Sequence, residues 1–99
     1  MLRIRRQYDP SWLVNAVKAL EGEYPWIVEA AQNCTSVVAE SELYIHFIDP
    51  SNPNKPGSKW QFEQNIIIEE SEKGELVLDI LKGNIIGGVE LLTNVMKGV

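Results

Sequence analysis

The 99-residue sequence predicts a single α+β domain in which an N-terminal helical hairpin packs on an antiparallel meander sheet of four to six strands. Three observations point there. Apolar residues recur at helical spacing between residues 10 and 33, and β-branched and aromatic types take over from Thr35. The last third then alternates in hydropathy between turns that carry glycine.

Residues 2–8, LRIRRQY, alternate well enough for a short strand, with Leu2 and Ile4 on one side and Arg3 and Arg5 on the other. Asp9-Pro10 reads as an N-cap followed by proline in the first helical position. Leu13, Ala16, Val17 and Leu20 then share one face before Gly22 ends the helix. A second helix starts at Tyr24-Pro25, and Trp26, Ile27, Ala30 and Ala31 carry it to Asn33. Residues 36–48 hold either one long strand or a hairpin turning near Glu40-Ser41-Glu42, with Leu43, Ile45 and Phe47 on a common face. Residues 49–58 contain three of the five prolines and form a long loop.

Three strands follow: residues 60–70, 75–82 and 85–92, joined by Ser71-Glu72-Lys73-Gly74 and by Gly83-Asn84. Centring the second turn on Gly83-Asn84 pairs Lys82 with Ile85, Ile80 with Gly87, Asp79 with Gly88, Leu78 with Val89 and Val77 with Glu90. Leu76, Leu78, Ile80, Ile85, Val89 and Leu91 then make an apolar face that the helices cover. Pairing Glu70 with Glu75 adds Ile66, Ile68, Val77, Leu81 and Ile86 to the opposite face, beside Asp79 and Glu90. That stripe is too apolar for open water and calls for a cover, a second copy included.

Charge narrows the partners. Fourteen acidic and nine basic residues give a net charge of −5, which repels a phosphate backbone, so nucleic acid is not expected. Residues 21–49 hold Glu21, Glu23, Glu29, Glu40, Glu42 and Asp49 with no Lys or Arg. They form either a solvated face or a docking face for a basic protein. The lone Cys34 excludes an intrachain disulfide and suits a reduced cytoplasm. Behind Arg3, Arg5 and Arg6 no apolar run follows, so neither a secretory leader nor a membrane span is expected.

Leu43-Tyr44-Ile45, followed by Leu78-Asp79-Ile80-Leu81, Gly83 and the run Ile85-Ile86-Gly87-Gly88-Val89-Glu90-Leu91-Leu92, resembles a bacterial family described as domain of unknown function 2283. The resemblance covers about half the chain. Gly88 departs from the family's pattern of a single glycine between apolar residues, and residues 10–33 have no counterpart in its core. It implies an α+β or mostly β fold with occasional genetic proximity to toxin genes, and it brings no catalytic residue.

Candidate chemistry is sparse. Asp79 and Glu90 fall diagonally on one face, with Gly88 leaving room above the Asp79 carboxylate. They are either a polar-ligand site or ordinary outward-facing strand acids, and two carboxylates alone do not satisfy a hard cation. His46, the only histidine, points away from the Leu43 face and joins them as a ligand-site candidate. A Cys34–His46 nucleophile is disfavoured, because the end of a helix raises a thiol pKa. Of the three tryptophans, Trp60 beside the proline loop is the interface candidate, with Glu40, Glu42 and Asp49 as its acidic counterparts. No phosphate-cradling loop or metal-ligand spacing occurs, so no cofactor or metal is expected. These readings favour a cytoplasmic, non-catalytic protein-interaction module, antitoxin-like toward a basic protein. A small enzyme or ligand-binding domain using Asp79, Glu90 and His46, and a structural homodimer, are the alternatives.

Overall fold

The computed structural model describes residues 5–48 and 61–92 and is an α+β fold of two short helices and seven strands. Strands β1 (Arg6–Gln7) and β2 (Ser36–Val37) form a small antiparallel ribbon. Strands β3 (Ala39–Glu40), β4 (Tyr44–His46), β5 (Phe62–Ile68), β6 (Leu76–Leu81) and β7 (Ile85–Leu91) form an antiparallel sheet in the order β3-β4-β7-β6-β5. Residues 36–48 thus serve two sheets. Val37 pairs with Arg6, whereas Ala39 begins the hairpin that turns at Ser41, whose hydroxyl accepts from the backbone N–H of Leu43 and Tyr44. That turn leaves Leu43 45% exposed and off the buried face of Ile45 and Phe47.

Helix α1 (Ser11–Val17) has Pro10 as its N-cap, one residue past the expected Asp9, because Pro10 supplies the first carbonyl, to Val14, while Asp9 accepts the Ser11 backbone N–H at 3.0 Å from just before it. It tightens into a 3₁₀ turn at Lys18–Leu20 before α2 (Ile27–Gln32). Neither helix is long enough to persist alone, so packing holds them. Leu13, Val17, Ile27 and Ala31 are fully buried, with Trp12, Ala16, Leu20, Tyr24 and Trp26 around them.

Two pairings depart from expectation. β5 meets β6 one residue away from the expected register, with Ile66 opposite Leu78, Ile67 opposite Val77 and Ile68 opposite Leu76. A one-residue slip exchanges the faces. Ile66 and Ile68 therefore enter the core and Ile67 turns outward, which buries two isoleucines where the expected register buries one. The turn permits this through Gly74 at φ 83° and the Ser71 hydroxyl, which accepts from Lys73 N–H and donates to the Gly74 carbonyl.

Between β6 and β7 the expected register holds from Leu76 to Asp79, but the turn closes on Leu81–Ile85, and Ile80 faces Ile86. Gly87 is the extra residue that reconciles the two. Its carbonyl accepts from Phe47 and Ile48, and a side chain there would collide with Leu81, whose Cδ1 would lie 2.8 Å from a Cβ. Ile86 consequently joins the core and Ile85 leaves the face assigned to it. The outward stripe of Ile66, Ile68 and Ile86 does not exist.

One core cluster spans the helices and one sheet face, from Leu13, Val17 and Ile27 to Ile45, Leu78, Ile80 and Val89. Ile48 and Leu81 are also buried but lie outside that cluster. The expected strand at Leu2–Ile4, the proline loop, Asp49, Trp60 and residues 93–99 fall outside the described residues.

Candidate functional site

The site is the sheet face turned away from the helices. Cross-strand pairing lays two rows over it: His46, Gly88, Asp79 and Asn65 in one, Tyr44, Glu90, Val77 and Ile67 in the other. His46, Asp79 and Glu90 are therefore brought to one patch of three adjacent strands. Period-two alternation puts them there, since each strand turns every second residue outward. The space expected above Gly88 is not empty. A Cβ on Gly88 would lie 2.9 Å from Tyr44 Cε1 and 3.0 Å from the Ile45 carbonyl oxygen, so the Tyr44 ring rests on bare backbone. The same point is 3.4 Å from Asp79 Oδ2, which brings ring and carboxylate together across the glycine. Tyr44 also stacks on His46, ring centroids 4.1 Å apart and 12° from parallel.

Burial, and then the charge of Glu90, push the Asp79 carboxyl up to about 6 from its ordinary 3.8. A half-buried acid with that value exchanges protons near neutrality, and its charged form attracts any cation that reaches it. Among the described residues no group of three or more His, Cys, Asp or Glu is placed to hold a metal ion.

Other candidates separate from this patch. Glu40 is exposed and pairs with Arg6 at 3.1 Å, an interaction of the kind worth under about 1 kcal/mol. Glu42 is exposed on the β3–β4 turn. Cys34 lies on the helix side, its thiol donating to the Ala30 carbonyl at 3.4 Å, and burial pushes it up to about 12. With His46 on the opposite sheet face, the two cannot form a nucleophilic pair. Two hollows of about 200 and 240 Å³ adjoin the Gly83–Asn84 turn and share Ala30, Asn33, Asn84 and Ile85; neither includes His46, Asp79 or Glu90.

Tyr44 and Asn65 are the site members that sequence reasoning missed. Tyr44 was within reach, standing two residues before His46 on the same side of a strand. Asn65 was not, because its place opposite Asp79 depends on the β5 register.

No family model, curated protein or solved structure matches the chain. Residue chemistry alone therefore carries its functional reading.

Proposed function

We propose that the chain is a non-catalytic protein-interaction module that receives a basic protein on the helix-free face of its sheet. The observation that carries this reading is the composition of that face. Asp79 and Glu90 stand at its centre, and its paired strand residues include no Lys or Arg. Val77 lies beside them, with Ile67 60% exposed and Phe62 41% exposed toward the β5 side. Aliphatic and aromatic groups around underbalanced acid suit a protein surface of opposite charge, and the net charge of −5 steers such a partner inward.

A second copy fits less well. Ile66, Ile68 and Ile86, the residues a homodimer would use, belong to the core, and face-to-face pairing would set acid against acid. An enzymatic reading has the raised Asp79 carboxyl in its favour, but Asp79 and Glu90 alone supply no hydroxyl or thiol nucleophile. Kinship with domain of unknown function 2283, an antitoxin-like role and a cytoplasmic setting belong to the same proposal. The first rests on the sequence resemblance alone, and the last on a single cysteine that suits a reducing compartment.

The test is affinity capture of the full chain from extracts of its source cells, beside Glu90→Lys and Ile67→Glu variants and a Glu40→Lys/Glu42→Lys control. A basic protein retained by wild type and control and lost from both face variants is the expected result. Retention by the face variants, with loss from the control, would move docking to the β3–β4 turn and overturn the reading.

A further inference from the structure

The charges on the outer face are arranged unlike those elsewhere. Arg6 answers Glu40 at the surface, whereas Asp79 is half-buried with Glu90 as its charged neighbour. From β5 the group opposite Asp79 is the neutral Asn65, from β7 it is the bare backbone of Gly88, and from β4 come His46 and Tyr44. The Asp79 carboxylate and the Tyr44 ring thus meet over a glycine that admits no side chain without moving Tyr44 or the Ile45 carbonyl, with His46 stacked on Tyr44 and Glu90 in the neighbouring row.

We propose that this patch takes the guanidinium group of an arginine carried by the protein partner. The proposal rests on the docking reading above and names its anchor. A guanidinium is flat, always charged, and presents several N–H donors in a plane, so it can lie against an aromatic ring while donating to carboxylates at its edge. Tyr44 and Asp79, both close to one point above Gly88, offer that combination, with Glu90 as the second acceptor. The methylenes of an arginine would lie along Val77 and Ile67, the next residues of the Glu90 row. A lysine ammonium meets the carboxylates as a point charge and gains nothing from ring planarity. A divalent cation would need more oxygen ligands than two carboxylates supply.

The test is an amide NMR titration of the full chain with acetyl-Ala-Arg-Ala-amide at millimolar concentration, compared with the same peptide carrying lysine or citrulline. Expected are shifts centred on Tyr44, His46, Asp79, Gly88 and Glu90, with arginine about threefold or more tighter than lysine and citrulline inert. Glu90→Gln and Asp79→Asn each weaken arginine binding about fivefold while signals from the helices stay in place. Equal affinity for lysine and arginine overturns the arginine assignment and leaves an acidic docking face. So does undiminished binding by both variants. If no peptide shifts this face while capture still depends on Ile67 and Glu90, the anchor is wrong and the docking reading survives.

Discussion

On β6, Leu76, Leu78 and Ile80 turn toward the helices, while Val77, Asp79 and Leu81 turn away. The inner three are fully buried and share their cluster with Leu13, Val17 and Ile27. Among the outer three, Asp79 keeps a carboxyl raised by burial and by a like-charged neighbour. One strand thus packs closely through Leu76, Leu78 and Ile80 on one side and Leu81 on the other, and on that other side holds Asp79 against a like charge. The difference teaches that Asp79 itself is not placed for stability, because an amide or an aliphatic group there would meet less opposition.

Substitutions can widen or close that contrast. Leu78→Ala leaves a void between sheet and helices and should lower unfolding free energy by about 3 kcal/mol in denaturant titrations. Gly88→Ala should remove about 2 kcal/mol, since its methyl group meets Tyr44 and a backbone carbonyl that cannot rotate away. A Gly88→Ala chain as stable as wild type would show that Tyr44 is free to move off the glycine.

Asp79→Asn should act in the opposite sense, stabilising by about 1 kcal/mol at pH 7 once solvent screening of a half-exposed group is allowed for. The sign follows from proton linkage. The folded chain holds the Asp79 proton up to about pH 6, whereas the unfolded chain releases it near 3.8. This group's contribution is therefore most favourable below pH 3.8 and declines as pH rises to about 6. Unfolding measured between pH 4 and 6.5 should show a downward component that Asp79→Asn removes. Ile67→Ser, at an exposed position, should change stability by less than about 0.5 kcal/mol, so any larger effect on partner capture belongs to binding.

Local rules made much of this molecule legible. Asp9-Pro10 marked the first helix, spacing of three and four marked its buried side, and the body of the β6–β7 hairpin followed from Gly83-Asn84. The Asp79–Gly88 pairing and the diagonal placement of Glu90 came with it. Two decisions were beyond local reach. The Ser71–Gly74 turn admits more than one closure, and only competition among Ile66, Ile67 and Ile68 for the core selects the register. Likewise Gly87 can be read as an ordinary strand glycine until Phe47 and Ile48 arrive to use its carbonyl. The site was legible where it depends on alternation within one strand, as for His46, and hidden where it depends on contact between strands, as for Tyr44 on Gly88.

Cys34 sits where α2 meets β7, its sulfur near the carbonyls of Ala30 and Ile86. A thiol pushed up to about 12 holds almost no thiolate at neutral pH, so it offers alkylating reagents and disulfides little nucleophile while the chain is closed. Lifting the helices from the sheet would relieve that burial and raise its reactivity. The chain therefore carries its own clock for that opening: the rate at which its single cysteine is labelled, followed against reagent concentration, counts how often the helical layer and the strands part.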